Sequence, residues 1–335
     1  MYIILLNGEI MKKTNSKTAA FIMPVYIDNM NEFRPILEKS IQSVLNQSDK
    51  NLILIIIDDC SKDISIKHYL NNITLKDSRV IALSNKKNKG PGFSRNVGID
   101  MAYKLGCPFI LYNDSDDISN VNRLRETRKI FDNPKVNVVY SSFKVIDEFD
   151  NIVPEENLCD SIKEILDGHK SNIVEGENSW LKIALEKNYT NLTSATSVKT
   201  SLAHLEKFPN KRVSEDAHTW LRYGAHSGQF VFLKGCETLY RIKSNTESST
   251  RSKIKNFYKL KASTDVNGFI KAEKIYVQRF SNIDKTIIKN NRAKFFLKEA
   301  ISIALGKDYI TATKLLNKAI KTNNKIVFEE IIKTR

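Results

Sequence analysis

The chain has 335 residues, of which 41% are hydrophobic and 27% charged, and it carries a formal net charge of +15. This length and composition suit one large domain or two ordinary ones with a real hydrophobic core. They exclude a membrane-spanning helix, because such a helix needs roughly 20 apolar residues and the longest apolar run covers only residues 52–57. The four cysteines are too far apart for a zinc motif, which favours a reduced, cytoplasmic setting.

Strands and helices alternate in the first part of the chain. The apolar residues of the helical segments repeat on one face, and the strand at 51–63 contains an unbroken apolar run that is typical of a strand buried on both sides. The predicted order is strand 18–26, helix 33–47, strand 51–63, helix 64–73, strand 79–85, helix 90–106 and strand 108–114. Alternation at this spacing predicts right-handed βαβ units and an α/β fold with a parallel sheet.

The second part of the chain is less regular. We predict a helix at 121–131 and a strand at 136–147, whereas residues 150–190 show no clear pattern. A helix is predicted at 214–226, with Ser214 as its N-cap, followed by a strand at 229–243 and helices from 253 onward.

The positive charge is concentrated near the C-terminus. Residues 251–335 hold 20 Lys and Arg against 7 Asp and Glu, whereas the preceding 250 residues are nearly balanced. Such asymmetry indicates a separate module with an anionic partner. The sequence therefore predicts a loose leader at 1–17, a main domain at 18–250 and a basic α-helical region at 251–335, which we expect to be peripheral to the chemistry.

Two of the predicted strands end in acidic residues. Asp58 and Asp59 follow one strand, and Asp114, Asp116 and Asp117 follow another. Ligands of open α/β sheets bind beyond the carboxyl ends of the strands, so both clusters are expected at one edge. Carboxylates suit a hard divalent cation and can also accept a hydrogen bond from a uracil-type imide. Either cluster alone could equally be a solvated turn or a helix cap, but the pair together favours a site.

Six short motifs follow one another between Pro24 and Arg241: MPVYIDN, SIQSVLNQ, LIIIDDCSKD, NKGPGFSRNVGI, LYNDSDD and SED. Their order resembles that of the bacterial inverting family-two glycosyltransferases, which have a GT-A fold and use nucleotide sugars. The resemblance covers roughly two thirds of the chain. It implies a Rossmann-like, mostly parallel sheet flanked by helices, here followed by a C-terminal helical extension.

The resemblance implies how a sugar-nucleotide donor would be held. Pro24 and Tyr26 match residues that line the nucleotide base, Asp59 matches the acid that reads the uracil imide, and Arg95 matches a basic residue near the nucleotide. Arg241, in the later stretch LYRIKSN that matches a strand reading Y-R-x-H in many relatives, is also expected at the donor site. Without the ordered motifs, Tyr26 could be a core residue, Arg95 a surface pairing residue and Pro24 a strand end.

The resemblance also assigns the metal and the base. Asp114 and Asp116 match the DxD motif that binds the donor and Mn²⁺ or Mg²⁺, with Asp116 the more direct ligand. Asp216 matches the acid that takes the acceptor proton, and its neighbour Glu215 is expected to face away. Lys243 stands where many relatives have a metal-binding His; it could contact the diphosphate as a point charge or simply face solvent.

The predicted function is transfer of a sugar from a UDP-sugar to an acceptor hydroxyl with inversion, in bacterial surface polysaccharide or glycoconjugate synthesis. The expected acceptor is a saccharide or a lipid-linked saccharide. A metal-dependent phosphotransferase, and a non-catalytic sugar-nucleotide-binding or membrane-adaptor protein, remain alternatives. The basic region could pack on the main domain or contact an anionic membrane at the inner face of the plasma membrane, and no nucleic-acid partner is expected.

Overall fold

A computed structural model describes residues 2–3, 17–186, 190–242, 254–280 and 282–333. Its strands, numbered along the chain, are β1 (Tyr2–Ile3), β2 (Ala19–Val25), β3 (Leu52–Asp58), β4 (Val80–Ser84), β5 (Phe109–Tyr112), β6 (Val136–Ile146), β7 (Thr196–Lys199) and β8 (Gln229–Arg241). Its α-helices are α1 (Met30–Leu45), α2 (Ser65–Lys76), α3 (Pro91–Leu105), α4 (Arg123–Phe131), α5 (Asp160–Ser171), α6 (Ser179–Leu185), α7 (Thr200–Leu205), α8 (Glu215–Ala225), α9 (Phe257–Gln278), α10 (Lys285–Leu305) and α11 (Tyr309–Lys333).

The described strands form a single eight-stranded sheet in the order β1-β4-β3-β2-β5-β7-β6-β8. Strands β2 to β6 and β8 point the same way, whereas β1 and β7 are antiparallel to their neighbours. Because consecutive parallel strands need a crossover connection, helices occupy both faces of this sheet. The structure thus confirms the predicted α/β fold with a mostly parallel sheet.

Strands β2 and β3 form the centre of the sheet. All seven residues of each are buried, as expected for strands covered by helices on both sides. One face packs against α1 and α2, and the other packs against α3; the C-terminal helices belong to the same hydrophobic cluster as this second face and reach it through α6 and α8. On that second face Gly98 lies so close to β2 that a Cβ atom there would be 2.6 Å from Ile22 Cγ2. Glycine at this position therefore allows α3 to lie directly on the sheet.

The C-terminal helices pack on the main domain. A Cβ atom on Gly268 of α9 would lie 2.9 Å from the Cα of His218 in α8, so the two helices are in close contact. One hydrophobic cluster extends from Ala20 in β2 to Val327 in α11. The predicted domain boundary falls within residues 243–253, outside the described residues, and the regions on either side of it share this core.

Two further sequence-based expectations concern the ends of the chain and the membrane. Most of the predicted leader lies outside the described residues, apart from Tyr2–Ile3, which form the edge strand β1 and pair with β4. No helix in the described part of the chain is both long enough and apolar enough to cross a membrane.

Candidate active site

The carboxyl ends of β3, β2 and β5 lie side by side, because these strands are parallel neighbours. Tyr26 directly follows β2 and is 38% exposed, while Pro24 is buried inside that strand. Asp58 ends β3, and Asp114 comes two residues after the end of β5. The two acidic clusters are therefore at one edge of the sheet, separated by β2.

The Asp59 carboxylate is buried and holds the segment that leads into α3. Its Oδ1 accepts hydrogen bonds from Asn85 Nδ2 at 2.8 Å and from the Lys89 amide at 3.1 Å. Its Oδ2 accepts from the Lys89 amide at 3.1 Å and the Gly90 amide at 2.6 Å. Each carboxylate oxygen thus has two protein donors, so Asp59 fixes residues 85–90 whether or not it also contacts a ligand.

Its neighbour Asp58 is held differently. Oδ1 of Asp58 accepts from the Ser61 amide at 2.9 Å, and this contact closes the turn in which Cys60 has a φ of 60°. Oδ2 of Asp58 is buried without a hydrogen-bond partner among the described residues. A buried acceptor in that state is costly unless a donor reaches it, so Asp58 is a second acceptor near the end of β2.

Arg95 links the acidic loop after β5 to the first turn of α8. Its side chain is almost fully buried, and its Nη2 donates to Asp114 Oδ1 at 2.7 Å. Its Nη1 donates to Glu215 Oε1 at 3.4 Å. Burial alone would lower the pKa of Arg95, but Asp114 and Glu215 more than offset this and raise it. Arg95 is therefore a fixed cation between two acids, and the surface pairing interpretation is wrong.

Glu215 is a site residue that the sequence interpretation missed. Adjacent residues on a helix point in different directions, which is why Glu215 was expected to face away from the site. Its carboxylate nevertheless faces Arg95, and burial raises its pKa. The signal available in the sequence was the position of Glu215 inside the SED motif.

Asp216 occupies the first turn of α8, as predicted. Burial raises the pKa of its carboxyl to about 6, although the Ala217 amide, which donates to Oδ1 at 2.8 Å, and the nearby Arg95 both lower it. The predicted N-cap contact is absent, since Ser214 has a φ of 59° and its hydroxyl donates to Asp265 Oδ1 rather than to the helix. A pKa of about 6 leaves Asp216 mostly ionised at neutral pH, in the range that suits a general base.

The acidic loop itself is crowded. The pKa of Asp116 is raised to about 6 by burial and by the charge of Asp114. The pKa of Asp117 is raised further, first by burial and then by Asp116 and Asp114, while its Oδ1 accepts from the Arg241 amide at 2.9 Å. The Arg241 guanidinium donates to the Asp116 carbonyl at 2.9 Å and pairs with Asp150 at 2.6 Å. Arg241 thus braces this loop from β8.

Helix α1 holds the same loop from the other side. Ser40 Oγ donates to the Asp114 carbonyl at 3.0 Å, and Ser43 Oγ accepts from the Ser119 amide at 3.0 Å. Gln47 is fully buried, and its Nε2 donates to the Asn120 carbonyl at 2.7 Å. All three belong to the SIQSVLNQ motif, in which the two serines lie in α1 and Gln47 lies two residues after its end. The polar residues of this motif were a signal that the sequence interpretation left unused.

The carboxylates of the acidic loop provide some of the ligands that a divalent cation needs. Mg²⁺ is commonly held by one or two carboxylates and completed by phosphate oxygens and water. Asp114 and Asp116 provide hard oxygen ligands, and the charge of Asp114 raises the pKa of Asp116, an effect that a cation would relieve. Asp114 is already paired with Arg95, which leaves Asp116 as the better placed ligand. Within the described ranges no three His, Cys, Asp or Glu residues form a metal-binding group. Lys243 lies outside the described residues.

With this geometry in place, the chain was compared with known proteins. The family model for glycosyl transferase family 2 matches residues 21–190, about half of the chain. The chain is 26% identical over 239 residues to an uncharacterised glycosyltransferase of Methanocaldococcus jannaschii, covering 71% of this chain and 76% of that protein. It is 37% identical over 98 residues to the UDP-Glc:alpha-D-GlcNAc-diphosphoundecaprenol beta-1,3-glucosyltransferase WfaP of Escherichia coli, covering 28% and 37%.

Solved structures share the fold. Residues 1–349 of Staphylococcus aureus TarS in complex with UDP superpose with a TM-score of 0.55 at 15% identity, covering 95% of this chain and 92% of that one. The mannosyltransferase PcManGT of Pyrobaculum calidifontis, in complex with GDP-Man and Mn²⁺, gives a TM-score of 0.53 at 11% identity, covering 98% and 84%. These likenesses confirm the GT-A fold with its C-terminal helices.

Proposed function

The chain belongs to glycosyl transferase family 2, and on that premise we propose that it transfers a sugar from a UDP-sugar to an acceptor hydroxyl with inversion at the anomeric carbon. The observation that carries this proposal is the position of Arg95, which joins Asp114 at the end of β5 to the first turn of α8. It brings the acidic loop and Asp216 to one edge of the sheet. A diphosphate platform and a proton acceptor at one edge are what such a transfer requires.

The donor is held from the β2–β3 side in this proposal. Tyr26, exposed at the end of β2, contacts the uridine, and Pro24 shapes the strand end beneath it. Asp59 accepts a hydrogen bond from the uracil imide N–H while continuing to hold residues 85–90. Arg95 acts close to the diphosphate, where its fixed charge offsets the negative charge that develops on the leaving group.

Asp216 is the proposed general base. A hydroxyl is a weak nucleophile at neutral pH, so a carboxylate within hydrogen-bond reach must take its proton as it attacks. With a pKa of about 6, Asp216 is mostly ionised at pH 7 and still basic enough to accept that proton. Attack on the face opposite the diphosphate inverts the sugar configuration.

Asp116, with support from Asp114, is proposed to hold Mn²⁺ or Mg²⁺. When bound, such an ion acts as a Lewis acid that neutralises the diphosphate. Arg241 keeps the acidic loop in place, so its proposed part in donor binding is one of positioning.

The proposed contact of Lys243 with the diphosphate can be tested by comparing UDP and uridine affinities of Lys243→Ala.

The acceptor is proposed to be a saccharide or a lipid-linked saccharide in surface polysaccharide or glycoconjugate synthesis. The similarity to WfaP, whose name specifies a diphosphoundecaprenol acceptor, supports the lipid-linked option. Segment 305–328 supports a membrane contact, because its exposed apolar residues include Leu305 and Ile310. It also carries five exposed lysines, namely Lys307, Lys314, Lys318, Lys321 and Lys325. Such a surface suits anionic lipid at the cytoplasmic face.

A donor panel tests the proposed function. Purified full-length chain is incubated with UDP, GDP and dTDP sugars, with MnCl₂ or with EDTA, and release of the nucleoside diphosphate is measured. We expect slow release of UDP from a UDP-sugar, stimulated by metal and lost in Asp116→Ala. Asp167→Ala, at an exposed position of α5, is the control. Release from no nucleotide sugar would contradict the proposal in favour of a binding protein, and transfer of phosphate instead of sugar would favour a phosphotransferase.

A further inference from the structure

The start of α8 is anchored to a helix of the C-terminal region. Ser214 precedes Glu215 and Asp216 and adopts a left-handed conformation, with a φ of 59°. That conformation is unfavourable for a residue with a side chain, so other contacts must hold it. The Ser214 hydroxyl donates to Asp265 Oδ1 in α9, at 2.5 Å, and its carbonyl accepts the first helical hydrogen bond, from the His218 amide at 3.0 Å.

Asp265 is itself fixed by a buried ion cluster. Only 5% of Asp265 is exposed, and Lys261 Nζ lies 2.6 Å from its Oδ2. The same Nζ lies 3.5 Å from Glu299 Oε2 in α10, which is also buried. Two acids and one cation share this space, and burial raises the pKa of Glu299. A buried charge paired in this way is costly to disturb, so Asp265 is a rigid anchor.

A second contact fixes the direction of α8 one turn later. Arg222 Nε donates to His218 Nδ1 at 3.0 Å, so Nδ1 is an acceptor and the proton resides on Nε2. Nε2 in turn donates to Asn267 Oδ1 at 3.0 Å, and Gly268 lies against the His218 backbone. Helix α8 therefore has two polar contacts with α9 on either side of Asp216.

We propose that Asp265 is a positioning residue for the general base, so that the C-terminal helices complete the catalytic site. This inference rests on the proposed role of Asp216. Asp265 acts in two ways: through Ser214 it sets the direction in which the first turn of α8 presents Asp216, and its own negative charge acts on the Asp216 carboxyl. A displacement of about 1 Å at a base is enough to lower a rate by about a hundredfold.

The charge effect has a definite sign. The groups that act on Asp216 are Arg95 from α3 and Asp265 from α9, and Tyr240 from β8 lies within electrostatic reach. Arg95 favours the ionised carboxylate, whereas Asp265 disfavours it and raises its pKa, after the larger effect of burial. Removing the charge of Asp265 should therefore lower the pKa of Asp216. The acid limb of the pH–rate profile, where turnover falls as Asp216 is protonated, should then move to lower pH.

The test compares Asp265→Asn, Ser214→Gly and wild type in the full chain, using the UDP-sugar that is hydrolysed fastest, at saturating MnCl₂. Asparagine keeps the acceptor for Ser214 but not the charge, and glycine accepts a positive φ without strain while removing the hydroxyl. We expect kcat to fall at least about tenfold in each variant, with KM for the donor and UDP affinity within about twofold of wild type. In Asp265→Asn the acid limb should also move to lower pH.

Glu273→Gln provides the matched control. Glu273 is a buried acid two turns further along α9 and is paired with Arg292, away from α8. We expect it to lower the melting temperature while leaving kcat and the acid limb unchanged. If Asp265→Asn behaves like Glu273→Gln, or if both test variants retain wild-type kcat, the inference is wrong.

Asp216→Asn separates this inference from the proposed function. If Asp216→Asn is inactive while the Asp265 and Ser214 variants are normal, only the positioning role fails. If Asp216→Asn retains turnover, the assignment of the base fails and the positioning role with it.

Discussion

The carboxyl of Asp216 is subject to opposing influences. Its place in the first turn of a helix, next to Arg95, favours the ionised form, and that placement alone predicts a carboxylate of ordinary or low pKa. Burial outweighs these effects and raises the pKa to about 6. The residue type and its helix were predictable from the sequence, whereas the sign of the pKa shift depends on burial in the folded molecule, which no local pattern shows.

Replacing Asp216 with Asn should lower sugar transfer at least about a hundredfold, because the amide cannot take the acceptor proton. UDP affinity and melting temperature should stay near those of wild type. Since the base works only when deprotonated, wild-type turnover should fall as the pH drops through about 6. The rate is measured at saturating MnCl₂, so that protonation of Asp116 does not add a second limb. Transfer by Asp216→Asn within a few-fold of wild type, or a limb far from pH 6, would show that another group is the base.

Asp59 is predicted to select the nucleotide base. Asp59→Ala should weaken UDP binding by about 1.5–3 kcal/mol, the range for a hydrogen bond to a charged group. Calorimetry with UDP and CDP isolates this effect, because cytosine has no imide proton and CDP binding should change less. The loop at 85–90 should also lose stability, since Asp59 is its acceptor. If the variant still prefers UDP over CDP as strongly as wild type does, Asp59 does not select the base. Asp58 Oδ2, a buried acceptor without a partner among the described residues, would then be the next candidate.

At the level of elements, the sequence predicted those that are defined by local pattern. The helices α1 to α4 and the strands β2 to β6 were predicted, because apolar periodicity and turn residues mark them. Their ends agree within about three residues, except that β3 ends at Asp58 and not at residue 63. Strand β7 (Thr196–Lys199) was not predicted. It is four residues long and is a strand only because β5 and β6 offer antiparallel partners on either side. Such pairing depends on the assembled sheet and leaves little trace in the segment itself.

The contact of α3 with the sheet should be intolerant of added volume. Gly98→Ala places a Cβ atom 2.6 Å from Ile22 Cγ2 and 3.0 Å from Ile57 Cδ1, both in the core. We expect the free energy of unfolding to fall by about 1–3 kcal/mol. Turnover should fall as well, because α3 carries Arg95 one turn before this contact. Denaturant unfolding and UDP release measure the two effects.

Lys104→Ala is the control, since Lys104 is exposed on the same helix. It should change the free energy of unfolding by less than about 0.5 kcal/mol. If Gly98→Ala is as stable as this control, β2 can move away from α3 and the close approach is not a constraint.

For the whole molecule, the sequence predicted a C-terminal region that is peripheral to the chemistry and could pack on the main domain, and the structure shows this packing. Apolar residues of α9 and α10, including Phe269 and Phe295, share one cluster with Trp180 and the central strands. A chain ending at residue 250 should therefore expose part of the core, and we expect it to be poorly soluble or to melt at a much lower temperature than the full chain. A soluble truncated chain with wild-type turnover would restore the peripheral interpretation and contradict the role given to Asp265.

The basic surface of α11 predicts binding to anionic lipid. Changing Lys314, Lys318 and Lys321 to Glu should weaken binding to phosphatidylglycerol vesicles at least tenfold, since each lysine near such a surface contributes about 1 kcal/mol. Co-sedimentation with phosphatidylglycerol or phosphatidylcholine vesicles measures this. The control has the same change in charge at Lys67, Lys76 and Lys104, which are exposed on α2 and α3. Equal loss in both variants would mean that only net charge matters, and no binding of wild type would exclude the membrane contact.

The single cluster from Ala20 to Val327 also bears on how the protein is made. A ribosome releases the chain from its N-terminal end at about 5–20 residues per second, and domains fold as units when their cores are complete. Here the core lacks some of its members until α11 has emerged. Until α9 to α11 have been made, the chain therefore presents the apolar residues of α6 and α8 that these helices contact, such as Trp180, without their full cover. We therefore expect the nascent chain to stay open to chaperone binding for longer than a chain with an independent N-terminal domain, and the contact of Ser214 with Asp265 to form only after α9 has been made.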